Sequence, residues 1–196
     1  VAESLAFAVA NMKLRETLRR QALRDPLTGL FNRRYLQDVL AFELDRAESQ
    51  GLSLCLAMFD IDHFKRFNDE FGHDAGDTVL SALGAFLQRK VGSADLVVRY
   101  GGEEFLIVMA NTEIGTALAR MDSLREEIAT MQVRHDGEML RCVTISTGVS
   151  SFPHHGSTIT DLVRMADVAM YRAKKAGRNQ VQVADGEDVS RADTES

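Results

Sequence analysis

The run LSLCLAMF at residues 52–59 ends at Asp60 and constrains the fold more than any other segment. A continuous apolar stretch of this length is the pattern of a central strand buried on both faces. The segments around it carry helical signals. Residues 32–50 predict a helix with Asn32 as N-cap and Gly51 as its stop. Helical periodicity returns at 63–71 and 74–90, broken by Gly72, and again at 113–130 and 160–176. Segments 95–100 and 104–109 read as a hairpin through Gly101-Gly102, on the argument that glycine tolerates the positive φ of a tight turn. Further strands are expected over 142–151 and near Val181. Strands and helices therefore alternate along the middle of the chain.

The ends differ from this middle. Residues 1–23 contain no Gly or Pro and space Phe7, Asn11, Leu14, Leu18 and Gln21 in alternating steps of four and three, the seam of a coiled-coil-like linker helix. Asp25-Pro26 ends it, because proline disfavours helical geometry in the residue before it, and Thr28-Gly29 continues the break as a turn. The division expected is a linker helix at 1–24, one catalytic domain at 25–184 and a polar, mostly acidic tail at 185–196. A chain that begins with Val1 reads as a fragment of something longer.

Composition excludes several classes. A net charge of −6 offers no concentrated basic face for nucleic acid or an anionic membrane, so an anionic ligand needs a local site. No apolar run approaches the roughly 20 residues of a membrane span. Cys55 and Cys142 lie in apolar runs without C-x-x-C spacing, and read as buried thiols of a cytoplasmic protein. His135, His154 and His155 lack a third ligand at useful spacing and read as loop residues. No G-x-x-x-x-G-K-[ST] is present, which removes the P-loop class.

Three constellations remain. FDIDHFKRFND at 59–69 sets Asp60 at the polar end of the buried strand, where a carboxylate suits a hard cation such as magnesium; Asp62 reads as the cap of the next helix. RYGGEEF at 99–105 sets Glu103 and Glu104 beside a glycine hairpin, and neighbouring carboxylates repel unless a cation lies close. The two acidic segments together would supply a site for two divalent ions. MYRAKKAGRNQ at 170–180 ends a helix in Lys174, Lys175 and Arg178, which a macrodipole argument explains in isolation.

Together with DPLTGLFNRR at 25–34, DIDHFKRFNDEFGHDAGD at 60–77, ISTGVS at 145–150 and ADVAMYRAKKAGRN at 166–179, these segments resemble the GGDEF family of diguanylate cyclases in order and spacing. The resemblance implies an α+β class (an α/β sandwich), with a central, mainly antiparallel sheet flanked by helices, related to nucleotidyl cyclases and polymerase palms. It implies condensation of two GTP into cyclic di-GMP and two pyrophosphates across a homodimer. Its cofactor is magnesium, two ions per GTP site, with manganese as the alternative. Carried over by position, the metal ligands are Asp60, the Ile61 carbonyl and Glu103, with Glu104 close by. Glu103 also stands as base and Lys65 as transition-state stabiliser. Asn68, Asp77 and His73 fall in the guanosine-binding segment, and Lys174 and Arg178 on the triphosphate. An upstream sensor of GAF, PAS or receiver type is a further expected partner.

One departure concerns regulation. Relatives with a product-inhibition site carry R-x-x-D five residues before the glycine pair, whereas here the stretch is Gly92 to Asp95. Glycine cannot supply the bidentate fork of arginine, so this inhibitory site is degenerate. The rival readings are a silent GGDEF domain that binds GTP or cyclic di-GMP, a structural dimerisation module, and a cyclase making mixed cyclic GMP-AMP. Retention of Asp60, Glu103 and Glu104 disfavours the first, and the three ligand segments disfavour the second. Asp77 disfavours the third, because an acid accepts from guanine donors that adenine lacks.

Overall fold

The buried run becomes strand β2, Leu54–Ile61, and every one of its residues is buried. Its alternation sorts two cores. Cys55, Ala57, Phe59 and Ile61 face one cluster, while Leu54, Leu56 and Met58 face the other. A computed structural model of the chain describes residues 23–92 and 94–185. The expected linker helix at 1–24 and acidic tail at 185–196 fall almost wholly outside these residues.

Before β2 come the short strand β1, Phe31–Asn32, and helix α1, Arg33–Gln50. The Asn32 side chain accepts from the Tyr35 N–H, and Gly51 closes the helix at φ 63°, both as the sequence predicts. After β2 come α2, Phe64–Phe71, and α3, His73–Lys90. Gly72, at φ 88°, caps the end of α2 and the start of α3. The chain continues through β3, Leu96–Arg99, β4, Glu104–Ala110, and α4, Ile114–Ala129. A two-residue ladder, β5 at Arg134–His135 and β6 at Glu138–Met139, has no counterpart in the sequence reading. Last come β7, Ile145–Phe152, α5, Ile159–Lys175, and β8, Val181–Val183.

The main sheet runs β1-β3-β4-β2-β7-β8. Its inner pairs, β3–β4, β4–β2 and β2–β7, are antiparallel; the outer pairs, β1–β3 and β7–β8, are parallel. The architecture is the expected α+β sandwich. Helices α2, α3 and α4 bury Phe64, Phe67, Val79, Leu83, Met121 and Ile128 in one cluster. Helices α1 and α5 bury Leu36, Leu40, Leu162 and Met170 in the other. Helix α5 lies unusually close to β7. A Cβ on Gly148 would stand 2.0 Å from the Ala166 carbonyl oxygen and 2.2 Å from the Met170 nitrogen.

Several strand limits differ from the sequence reading by one to three residues. Strand β2 does not stop at Asp60 but pairs through it and Ile61, and β7 begins at Ile145 rather than 142. Cys142 is exposed, which corrects its reading as a buried thiol; Cys55 is buried as expected.

Candidate active site

Asp60 continues the parity of Met58, so its carboxylate projects toward the α1 and α5 side. Opposite it in register stand Glu104 on β4 and Ser146 on β7. Residues directly paired across an antiparallel ladder share a face, and this register sets Asp60 and Glu104 side by side. The Ile61 N–H donates to the Glu103 carbonyl at 3.4 Å, which ties the hairpin tip to the end of β2. Lys174, in the last turn of α5, brings its ammonium to 3.0 Å from Asp60 Oδ1.

Burial pushes the Asp60 carboxyl up to about 6; Lys174 offsets part of this, while Glu103 and Glu104 add to it. Glu103 is likewise held above its ordinary range, first by burial and then by Glu104, against the pull of Lys174. Three carboxylates, Asp60, Glu103 and Glu104, thus share the corner with the Lys174 ammonium, and a bound cation would relieve their mutual repulsion. Among the described residues no three acidic, His or Cys side chains converge into a closed metal cage. Asp60, Glu103 and Glu104 are the carboxylates at this corner that could hold a hard divalent cation, with water and substrate phosphates completing its shell.

Glycines in the hairpin serve a different purpose from the one the sequence suggests. Neither Gly101 nor Gly102 adopts positive φ. A Cβ on Gly101 would instead lie 2.4 Å from Glu104 Oε2, so the missing side chain makes room for that carboxylate. Arg99 braces the tip by donating to the Gly102 carbonyl from Nε at 3.1 Å and from Nη2 at 2.7 Å. Its Nη1 lies 3.0 Å from both oxygens of Asp25. Asp25 also accepts from the Thr28 N–H and hydroxyl. The DPLT turn is therefore a brace for the hairpin, a link that sequence spacing hides.

The α2–Gly72–α3 elbow carries the expected guanosine segment. Asn68 faces Gly76, where a Cβ would stand 1.9 Å from Asn68 Oδ1. That oxygen is buried without a hydrogen-bond partner. Asp77, next along α3, and His73, at its start, are exposed, as is Lys65 in the first turn of α2. Arg178 is exposed in the loop after α5.

Asp62 departs from expectation. The N-cap position of α2 is His63, at φ 58° and without a side-chain cap bond. The Asp62 carboxylate turns inward instead, accepting from Thr144 Oγ1 at 2.7 Å, Ser146 Oγ at 2.6 Å and the Asn179 N–H at 3.0 Å. His155 lies in a turn, as expected for a loop residue, but it is buried, with Nδ1 accepting from the Ser151 N–H at 2.9 Å. Burial holds its proton affinity below the usual value, and it is structural. His135 sits on β5, not in a loop, 2.9 Å from the Thr78 hydroxyl.

At the other end of β3, Asp95 closes a turn on the Gly92 carbonyl. Its carboxylate is engaged by Arg120 of α4 and is almost fully covered. The Asp95 carboxylate, in the stretch expected to be a degenerate inhibitory site, is thus already satisfied within the domain.

The fold and site define an α+β domain whose antiparallel sheet presents paired carboxylates at one end, faced by a lysine from a covering helix. Residues 22–180 match the family described as "Diguanylate cyclase, GGDEF domain", and the chain belongs to it. Diguanylate cyclase DgcP of Pseudomonas aeruginosa is 42% identical over 170 residues, 86% of this chain and 25% of that protein. Response regulator PleD of Caulobacter vibrioides is 43% identical over 162 residues, 82% of this chain and 36% of that protein. The chain thus spans between a quarter and two-fifths of the length of these relatives. Among solved structures, the coiled coil and GGDEF domain of DgcB from Caulobacter crescentus, in complex with c-di-GMP, superposes with a TM-score of 0.86. It is 32% identical, covering 93% of this chain and 96% of that one. The active GGEEF domain of a diguanylate cyclase from Vibrio cholerae gives a TM-score of 0.72 at 36% identity, covering 79% and 97%.

Proposed function

We propose that this domain is a diguanylate cyclase that joins two GTP into cyclic di-GMP and releases two pyrophosphates. The observation that carries the reading is the in-register pair Asp60 and Glu104, with Glu103 adjacent and the Lys174 ammonium on Asp60. The reaction is an in-line displacement: a ribose 3′-oxygen bonds to the α-phosphorus of a second GTP, the bond to pyrophosphate breaks, and the hydroxyl proton leaves to a base. Glu103 is that base, and burial raises its proton affinity in the useful direction. Asp60, the Ile61 carbonyl and Glu103 are the groups that would hold magnesium or manganese, with Glu104 beside them. Once bound, two such ions neutralise charge on the phosphates. Lys174 and Arg178 take the triphosphate, and Lys65 lies on the charge that develops at the reacting phosphate.

The unpartnered Asn68 oxygen and the exposed Asp77 are suited to the N–H donors of guanine, which adenine does not present in the same pattern. His73 stands in the same elbow. One domain holds one GTP, so a homodimer brings the two substrates together, and an upstream GAF, PAS or receiver sensor would control that encounter. With Gly92 in place of arginine and Asp95 engaged by Arg120, product inhibition through that stretch is weak or absent.

The deciding experiment incubates purified protein with GTP and magnesium over a range of protein concentrations, quantifying cyclic di-GMP and pyrophosphate, with Glu104→Ala as control. Product that rises faster than linearly with protein and disappears in the variant supports a dimer-dependent cyclase. No product at any concentration, even with a dimerising segment fused at the N-terminus, would replace this reading with that of a silent nucleotide-binding regulator.

A further inference from the structure

Asp62 and the loop after α5 are joined by a contact that the chemistry above does not use. Ala176 caps α5, and Gly177, at φ 114°, turns the chain so that the Arg178 N–H donates back to the Ala173 carbonyl at 3.0 Å. This six-to-one bond is the signature of a Schellman stop. Arg178 and Asn179 then both adopt left-handed backbone, at φ 63° and 46°. Consecutive left-handed residues other than glycine persist only where their surroundings over-determine them. Gln180 contributes by donating from Nε2 to the Ala173 and Arg178 carbonyls and by accepting from the Thr147 N–H, and two further contacts fall on Asn179 itself. From inside, Asp62 Oδ2 accepts the Asn179 N–H at 3.0 Å. From outside, Arg125 Nη1 donates to Asn179 Oδ1 at 3.1 Å.

Asp62 is itself fixed. It is 7% exposed, its N–H donates to the Thr144 carbonyl, and its carboxylate is held by Thr144 and Ser146 of the β7 side. It also follows Asp60 and Ile61 directly in the chain. One buried carboxylate thus connects the acidic end of β2 to the loop bearing Arg178. Hydrogen bonds to an ionised acceptor are roughly twice as strong as neutral ones, which suits a group that must hold a strained loop.

We propose that Asp62 is a positioning residue that holds the 176–180 loop, and through it Arg178, in register with the carboxylates at the end of β2. The proposal rests on the reading of Arg178 as a contact to the triphosphate. Asp62 touches no substrate in this scheme; its effect is transmitted by the Asn179 N–H.

The test compares Asp62→Asn, Arg178→Ala and the double variant for binding of 3′-deoxy-GTP with magnesium, an analogue without the attacking hydroxyl. Deuterium exchange over residues 176–181 is followed in parallel. Asparagine removes the charge and one of the two acceptor oxygens that Thr144, Ser146 and the Asn179 N–H share, so the single variant should bind about tenfold more weakly and its loop amides should exchange faster. In the Arg178→Ala background the same change should weaken binding by less than about twofold, because a residue that acts through Arg178 has nothing further to lose. If Asp62→Asn does not fold, Asn179→Ala loosens the loop from its exposed side and should give a smaller shift in the same direction.

A folded Asp62→Asn variant with unchanged affinity or unchanged loop exchange would overturn the proposal. So would an equal penalty in both backgrounds, which would mean that Asp62 acts through the neighbouring carboxylates instead. Wild-type protein that binds the analogue but makes no cyclic di-GMP from GTP would remove the cyclase reading and leave this one standing.

Discussion

Replacing Gly148 with alanine should be the most damaging single-methyl change in the domain. The added Cβ would meet Ala166 O at 2.0 Å, Met170 N at 2.2 Å and Ala169 C at 2.8 Å. All three are backbone atoms of α5, so no rotamer change can relieve the clash. Ordinary contact begins at 3.4 Å, and restoring it against the first atom requires α5 to retreat by 3.4 − 2.0 = 1.4 Å. Overpacking typically costs about 1–3 kcal/mol, and an unyielding backbone places this case near 3 kcal/mol. For a domain of this size that corresponds to a fall in Tm of roughly 6–12 °C. Helix α5 also carries Lys174 to Asp60, so the retreat should raise KM for GTP in protein that still folds. Thermal denaturation followed by circular dichroism reads the first effect, and steady-state product formation the second. A Tm within about 2 °C of wild type would refute the argument, because it would mean that β7 and α5 have slack that their backbone spacing denies.

Gly76→Ala makes an instructive contrast, since its Cβ would collide with Asn68 Oδ1, the movable end of a side chain. Alanine also favours the helix by up to about 1 kcal/mol, so Tm should hold or rise while KM for GTP increases about tenfold with kcat little changed; an unaltered KM would separate Asn68 from the nucleotide. Native protein treated with an aromatic disulfide should label Cys142 rapidly and Cys55 only on unfolding, because burial pushes the Cys55 thiol up to about 12. Fast labelling of both cysteines would contradict the packing of β2. Asp25 is pulled upward by burial, but its bonds from Thr28 and Arg99 prevail and leave it below its ordinary value. Its contribution to stability is therefore full above about pH 4 and is lost as pH falls through the folded-state value. Urea titrations from pH 7 down to 3 should show Asp25→Asn less stable at neutral pH and less sensitive to acid. Parallel curves for the two proteins would exclude the Asp25–Arg99 brace.

Much of this was legible along the chain because its causes are local. The Asn32 and Gly51 caps, the break at Gly72 and the buried run of β2 each depend on residues within a few positions of one another. Asp60, Glu103, Glu104 and Lys174 were likewise visible, since their segments carry the family pattern in order. The role of Asp62 was not. A lone aspartate before a helix reads as a cap, and its real partners lie 82, 84 and 117 residues away. Arg99 reaches Asp25 across 74 residues, and the use of Gly101 depends on where Glu104 folds back. Periodicity and capping chemistry are encoded by neighbours, so the sequence by itself determined the longer elements and the residue types at the acidic corner, while the two-residue strands β1, β5 and β6 escaped it. Which carboxylate faces a cation, which turns inward to brace a loop, and which glycine clears space for a neighbour depend on register between strands and on the closeness of α5. Only the tertiary structure decided those, because the free energy of a buried polar group is set by the partners the fold brings to it.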